Sequence, residues 1–498
     1  MTRPTPSKRL AEAGADDGDA LSLGASPIDA PSPAAPRGYR TIALVVACAL
    51  FMQQLDATVL TIALPAMARD LGVAPSQLSL ALTSYLVALA MFIPASSYLA
   101  DRWGPRTVFC TAIATFLLGS IACAQAWNVA SLVVARFLQG TGGAMMMPVG
   151  RLVLLRSVSR HDLVAALSWL VMPALVGPIL GPPIGGFIVT YFSWHWIFYL
   201  NVPFGVAGVV LALILIPDVR EEDRQAVFDW SGFALAGTAL ATLVFGFELA
   251  TRPATVRVTV ALIGAGTVLT FLYLRHAQRT PHPILDIRLL KVPSFRISVV
   301  AGSLTRITQG AQPFLLPLMF QLGFGMSAAK AGTITLASAL GALIVKPIAP
   351  GLIRRFGYRD PLLVAVVVAS LGYASCAAFR PDWPVSAMFA ILMIAGLFMS
   401  LLFTGYNALA FIDIERSRMN AATSFYATFQ QLSLSVGICL AAVLLRVAEP
   451  TSGVHESHLT PYTFAFLGVA GLSFTAIASI VRLSRGVGRQ SSSSSEMI

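Results

Sequence analysis

The sequence predicts an all-α protein that crosses a membrane many times, and three observations carry that expectation. The 498 residues are 56% hydrophobic and only 11% charged, with a mean hydropathy of +0.76, whereas a soluble chain carries about 25% charged residues. Apolar runs of the roughly 20 residues that a spanning helix needs recur from about Thr41 to Val481. The segments between them are short and hold nearly all the charges, punctuated by Gly and Pro. Soluble multidomain enzymes, disordered chains and disulfide scaffolds are poor matches to this pattern.

Taken in chain order, the runs give fourteen candidate spans: 41–67, 76–99, 106–126, 130–152, 163–190, 197–217, 230–250, 255–275, 297–321, 329–350, 361–379, 385–410, 421–447 and 462–482. Even the longest connection, 276–296, has no room for a soluble domain. Residues 1–40, rich in Pro, Ala, Asp and Ser, lack the apolar core of a signal peptide and read as a disordered tail. Residues 484–498, with their run of serines, read as a second solvated tail. Cys48, Cys110, Cys123, Cys376 and Cys439 lie within or beside apolar runs without CxxC spacing, so inert buried thiols are expected and no metal site. His455 and His458, in one loop without a nearby Asp or Cys, read as solvated.

Orientation follows from the basic residues, which favour cytoplasmic loops. An even number of spans puts both tails on one side. If that side is cytoplasmic, only Arg69, Arg252, Arg257, Lys330, Arg380 and Arg446 fall outside, and Arg136, Arg306 and Lys346 fall within spans. Every other Lys and Arg is inside. The net charge of +11 is thus a topology signal, and lipid rather than nucleic acid is the expected surroundings. Trp103, Trp127, Trp194, Trp196, Trp230 and Trp383 lie near span ends, where an aromatic belt would put them.

Several residues carry chemistry. Asp56 is the one carboxylate deep in a span of the first half. A charge at the bilayer centre costs about 2.5–3.5 kcal/mol on insertion scales, so it should face the bundle interior. Gln53 shares its face at i−3, and a carboxyl in apolar surroundings holds a proton more readily, which suits reversible protonation; a structural, hydrogen-bonded Asp is the alternative. Arg136, with Gln139 at i+3, is the natural counter-charge and cannot itself release a proton. Between spans 2 and 3, Asp101, Arg102 and Arg106 surround Gly104, either as an ordinary basic loop or as a charge relay that locks neighbouring helices. In span 5, Gly177, Gly181 and Gly185 form one smooth face flanked by Pro178, Pro182 and Gly186. Small faces let helices approach closely, and prolines one turn apart bend them.

In the second half the intramembrane cations are Arg306, with Gln309 at i+3, and Lys346, which could instead snorkel from a helix end. Gln312, Tyr406, Asn407, Gln430 and Gln431 could line a cavity or bond between helices. Met145, Met146 and Met147 suit a soft pocket or plain packing. Glu248, near an outer end, reads as solvated or paired.

These strings resemble the major facilitator superfamily. Ser97-Tyr-Leu-Ala-Asp101-Arg102-Trp-Gly104-Pro105-Arg106 is similar to its signature loop G-x-L-A-D-R-x-G-R-K, departing at Ser97 and Pro105. Leu132-x-x-x-Arg136-x-x-Gln139-Gly140-x-Gly142-Gly143 resembles its second motif, whose arginine is assigned to proton transfer. Gly177-x-x-x-Gly181-Pro182-x-x-Gly185-Gly186 resembles the antiporter motif that marks exporters. Trp194-His195-Trp196-Ile-Phe-Tyr-Leu-Asn201-Val-Pro203-Phe-Gly205 is similar to the string that follows it, with His195 for Arg. Leu55-Asp56-Ala-Thr58 through Pro65 resembles the first-span motif of the fourteen-helix drug:proton antiporters of the EmrB/QacA type. The likeness spans about 40–485.

The resemblance implies two pseudo-symmetric six-helix bundles, 41–217 and 297–483, around two extra helices in 218–275, with 276–296 as a cytoplasmic linker. It implies a proton-coupled exporter of small molecules in the bacterial inner membrane, with both termini cytoplasmic. Asp56 and Arg136 would couple protons, and Asp101, Arg102, Gly104 and Arg106 would gate. The six small residues from Gly177 to Gly186 would seal a seam, and Gln53, Gln139, Met146, Arg306, Gln309, Lys346 and Asn407 would meet substrate. No P-loop GxxxxGK[ST] occurs, so the proton gradient rather than a cofactor is the expected energy source. The chain is expected to act as a monomer, with a periplasmic adaptor left open. Lipophilic drugs are the substrates the family implies. The excess of Arg136, Arg306 and Lys346 over Asp56 suits an organic anion or metal chelate of citrate-like character instead. A non-transporting sensor of the same fold would read alike. An intramembrane enzyme is disfavoured, because GxSxG, HExxH and paired mid-span Asp residues are missing from the sequence.

Overall fold

A computed structural model describes residues 39–157, 163–217, 228–250, 255–415, 418–448 and 459–484. Residues 1–38 and 485–498 of the expected tails, the loop with His455 and His458, and the arginines at 160, 220, 224, 252 and 416 lie outside the described residues, while Tyr39 and Arg40 belong to the first helix. The helices in order are α1 (Tyr39–Asp70), α2 (Ser79–Trp103), α3 (Pro105–Ala124), α4 (Val129–Ser157), α5 (Leu163–Tyr191), α6 (Trp196–Tyr199) and α7 (Asn201–Leu215). There follow α8 (Trp230–Leu249), α9 (Val256–Arg279), α10 (Pro293–Leu318), α11 (Ala328–Val345), α12 (Ala349–Phe356) and α13 (Arg359–Ser375). The last are α14 (Val385–Phe411), α15 (Met419–Val447), α16 (Thr460–Phe474) and α17 (Ile477–Ile480). Among the described residues there is no strand.

Eleven of these, counting α6–α7 and α16–α17 as single units, are long and apolar enough to cross a membrane. The remaining long helices are α4 and α5, of 29 residues each, and α10, of 26. Lipid explains a surface that water would not tolerate: Leu118, Val134, Ile214, Val260 and Phe271 are all more than 60% exposed. In hydrocarbon every backbone group must be satisfied within its own helix, which is why apolar content this high gives helices here.

Packing follows a simple plan. α1 lies against α5, α7 and α4, while α4 packs on α2 and α3. Later in the chain, α10 lies against α15, α14 and α16, and α14 packs on α11 and α13. The two groups meet where α5 touches α11, α2 touches α15 and α1 touches α10. α8 pairs with α9 and touches both α2 and α15.

Three expectations change. The span drawn as 329–350 ends at Val345, because Lys346 precedes Pro347 and a residue before proline is disfavoured in a helix; α12 then starts separately. Lys346 is therefore half-buried at a helix end, the snorkelling alternative. The connection expected at 276–296 is shorter, since α9 runs to Arg279 and Pro293 opens α10 at a first-turn position where its missing N–H costs nothing. Trp194 is not part of a lipid-facing belt: it is buried, and its indole Nε1 donates to Asp70 Oδ2 at 2.9 Å. Trp103, Trp127, Trp196 and Trp230 are exposed.

Candidate functional site

A cluster of buried polar residues surrounds Asp56. Apolar neighbours on α1 keep the carboxylate out of water, and it is 1% exposed, as is Arg136. Arg136 Nη1 donates to Asp56 Oδ2 at 2.7 Å and to Gln139 Oε1 at 2.6 Å. Gln139 Nε2 donates to Asp56 Oδ1 at 2.9 Å, and Asn201 Nδ2 donates to the same oxygen at 2.8 Å. Asn201 also donates to Ser120 Oγ at 3.0 Å, and that hydroxyl donates to the Phe198 carbonyl at 2.9 Å. Below the guanidinium lies the Tyr85 ring, its centroid 4.4 Å away. Five helices thus meet at one carboxylate: α1, α4 and α7 by direct contact, α3 through Ser120 and α2 through Tyr85.

A buried charge is tolerated when it is paired and hydrogen-bonded. Here one guanidinium cancels the charge, and three donors engage the two carboxylate oxygens. Removing the negative charge by protonation would leave Arg136 without its counter-ion. A proton on Asp56 would thus alter contacts with both α4 and α7.

Sequence reasoning found Asp56, Arg136 and Gln139, and the structure brings these three together. It missed Asn201, Ser120 and Tyr85 as members. Asn201 stood in the string after the antiporter motif, but nothing in the spacing indicated that α7 would turn it toward α1. Gln53 lies on the same side of α1, and a Cβ at Gly143 would stand 3.4 Å from its Nε2 and 3.1 Å from Tyr85 Oη.

The glycine row of α5 lies on α1. A Cβ at Gly177 would meet Gln54 Cβ at 2.6 Å, one at Gly181 would overlap Thr58, and one at Gly185 would meet Val59 at 2.9 Å. Gly186 faces the other way, against Ala328 and Ala329 of α11, and the Pro182 carbonyl sits against Gly332. Thr190 Oγ1 accepts from the Ala329 amide at 3.2 Å, and Gln321 Nε2 donates to the Ile62 carbonyl at 2.9 Å. α5 is thereby wedged between α1 and α11. Pro178 and Pro182 lie within a helix that continues through both.

At the far end of α2, Gly104 has φ +85°, a conformation that favours glycine and turns the chain into α3. Arg102 Nη1 donates to Tyr98 Oη at 3.0 Å, and Arg106 Nη2 donates to the Leu213 carbonyl of α7. Asp101 is half-buried in the last turn of α2.

Arg306 of α10 is 4% exposed and donates through Nη2 to Tyr426 Oη at 2.8 Å. Asn407 Oδ1 accepts from Gln430 Nε2 at 2.9 Å, and Gln312 Nε2 donates to Ser338 Oγ at 2.9 Å, so interhelical bonding accounts for these three. Gln309 is partly buried on α10. Met146 is fully buried in an apolar cluster of α1–α4, the packing alternative to a soft pocket. Glu248 is buried rather than solvated and accepts from Ser79 Oγ at the start of α2. Among the described residues, no group of three or more His, Cys, Asp or Glu residues is placed to hold a metal ion.

Comparison with known proteins gives this architecture its relatives. The family model described as Major Facilitator Superfamily matches residues 46–438. HsrA of Haemophilus influenzae, named as a transport protein, is 33% identical over 89% of this chain and 96% of its own length. MdtD of Cronobacter sakazakii, named for multidrug resistance, is 36% identical over 82% of this chain and 87% of its own length. A crystal structure of a variant of the nucleoside transporter NupG superimposes with a TM-score of 0.63 at 15% identity, covering 88% of this chain and 99% of that one. A family model over most of the length and relatives above 30% identity over nearly all of theirs make this chain a member of the major facilitator superfamily, a multi-pass membrane transporter related to MdtD.

Proposed function

We propose that this protein is a fourteen-span antiporter that exports a small molecule across the bacterial inner membrane while protons flow inward, by alternating access. The observation that carries the reading is the buried Asp56–Arg136 pair, fastened by Gln139 and Asn201 to three helices at once. The eleven apolar helices plus the long α4, α5 and α10 support the count of fourteen. Two halves, 41–217 and 297–483, would rock about the contacts of α5 with α11, α2 with α15 and α1 with α10, with α8–α9 alongside.

The chemistry is one proton on one oxygen. With Asp56 ionised, Arg136, Gln139 and Asn201 hold α1 against α4 and α7. A proton on Asp56 removes the charge that Arg136 faces, weakens these bonds and frees α1 to shift along the α5 glycine row. Arg136 stays charged throughout and tunes the carboxyl without carrying the proton. The arginine bias favours cytoplasmic termini. In that orientation the α5–α11 and α1–α10 contacts close the outer end, and the Gly104 turn with Arg102 and Arg106 lies at the inner end. The multidrug-resistance name of MdtD supports export of small molecules. The proton gradient supplies the energy.

The test uses purified protein in liposomes, with radiolabelled tetraphenylphosphonium and benzoate as probes and a pH-sensitive dye. A pH gradient drives uphill movement by the parent, and Asp56→Asn abolishes it. If Asp56→Asn pumps uphill as well as the parent, the coupling site is wrong. A parent that moves both probes equally with and without a gradient is not an antiporter.

A further inference from the structure

Arg306 differs from the other deeply buried arginine in one respect. Arg136 has Asp56, whereas among the described residues Arg306 meets no carboxylate. Its Nη2 donates to the Tyr426 phenol at 2.8 Å, and its Nε has no partner. The guanidinium carbon lies 4.9 Å from the centroid of the Tyr426 ring and 5.5 Å from that of Phe403. Gly302, one turn earlier, lets Nη1 lie close against the α10 backbone: a Cβ there would stand 2.6 Å from Nη1 and 3.7 Å from the Tyr406 ring.

Aromatic faces attract a cation but bring no formal negative charge. A buried charge held only this way is costly unless a counter-ion joins it. The planar fork of arginine matches the two oxygens of a carboxylate, and pairs of this kind are both strong and directional. The cage sits on α10, α14 and α15, and two of those helices meet the first half of the chain, α10 at α1 and α15 at α2.

We propose that Arg306 anchors the carboxylate of an organic anion whose apolar or aromatic body lies against Phe403, Tyr406 and Tyr426. This inference rests on the transporter reading for the identity of the anion as substrate. The second half of the molecule supplies the positive charge that the first half has already neutralised. An anion at Arg306 gives that guanidinium the counter-ion that Arg136 has in Asp56.

The experiment is equilibrium binding of radiolabelled benzoate to purified protein in detergent, beside tetraphenylphosphonium. The parent binds benzoate, and Arg306→Gln weakens that binding at least about tenfold, the scale of a lost charge-assisted pair. Arg306→Lys keeps the charge but not the fork and falls between them. Tyr426→Phe, which removes one hydroxyl, weakens binding less and guards against a folding artefact, as do the melting temperatures of all variants. Tetraphenylphosphonium binding is not weakened by Arg306→Gln. Equal benzoate binding by the parent and Arg306→Gln overturns the proposal, and so does absence of binding by the parent. If that failure comes with intact proton-coupled movement of tetraphenylphosphonium, the transporter reading stands without it. If benzoate binds through Arg306 but no probe moves in liposomes, the transporter reading fails while the anion site stands.

Discussion

Alanine at position 181 adds a single methyl group where α5 rests on α1. That carbon overlaps Thr58 Oγ1 and comes within 2.8 Å of Thr58 Cβ. Carbon atoms rest at about 3.5–4.0 Å, so the helices must part by roughly 1 Å at this level. Overpacking of this kind costs about 1–3 kcal/mol. Thr58 has little room to yield, because its hydroxyl is tied to the carbonyls of Gln54 and Leu55, each at 3.0 Å. Thr58 is two residues from Asp56, whose bonds to Arg136, Gln139 and Asn201 measure 2.7, 2.9 and 2.8 Å. A shift of roughly 1 Å in α1 takes such a bond beyond hydrogen-bonding range. Gly181→Ala should therefore lower both the thermal midpoint and gradient-driven transport in liposomes. Gly471→Ala, where a Cβ meets nothing within 4 Å, should change neither. Adding Thr58→Gly to Gly181→Ala removes both obstructing atoms and leaves Val59 N at 3.5 Å. Transport should recover even though glycine within a helix costs about 0.5–1 kcal/mol. A Gly181→Ala protein that matches the parent in both measurements refutes the close seam, and a double variant that stays inactive refutes the link from seam to site.

Other substitutions follow from single contacts. Asn201→Ala removes a donor to a buried carboxylate, a bond worth about 1.5–3 kcal/mol, and should reduce gradient-driven transport at least about tenfold; parental activity would take Asn201 out of the site. Gly104→Ala places a side chain at φ +85° and should destabilise the protein by about 1–3 kcal/mol, read as a lower thermal midpoint. Trp194→Phe loses the bond to the exposed Asp70 and should cost about 1 kcal/mol of stability while leaving transport near the parental rate.

What the sequence revealed, and what it did not, divides along physical lines. Span positions were legible because hydrocarbon imposes a length and an apolarity on every helix: α14 at Val385–Phe411 lies within a residue of its expected bounds. Asp56 and Arg136 were legible because a charge in a span is expensive and therefore conspicuous. Asn201 and Ser120 were not, since a neutral amide and a hydroxyl carry little insertion penalty and their role depends on which way α3 and α7 face. Trp194 misled because proximity to a span end does not decide whether an indole points to lipid or to Asp70. Glu248, read as solvated or paired, lies in the last turn of α8, and the packing of α8 on α2 turns it inward to Ser79.

The placement of Asp56 on α1 gives one helix two duties that depend on each other. The face with Asp56 is fastened by side chains of α4 and α7, while the neighbouring face, with Gln54, Thr58 and Val59, lies on the glycines of α5. The first contact is polar and, in the proposed mechanism, is the one that a proton on Asp56 would weaken. The second sets the glycine backbone of α5 directly against Gln54, Thr58 and Val59 of α1, which lets the two helices approach closely. α5 in turn touches α11 through Gly186 and Pro182, and the Ile62 carbonyl of α1 accepts from Gln321 in the turn that follows α10. In the proposed mechanism a change of charge at Asp56 would reach the second half through the contacts of α1 with α5 and of α5 with α11. Under the proposed coupling the glycines matter for that reason: bulkier residues along this row would hold α1 and α5 apart and uncouple the proton from the movement of the helices.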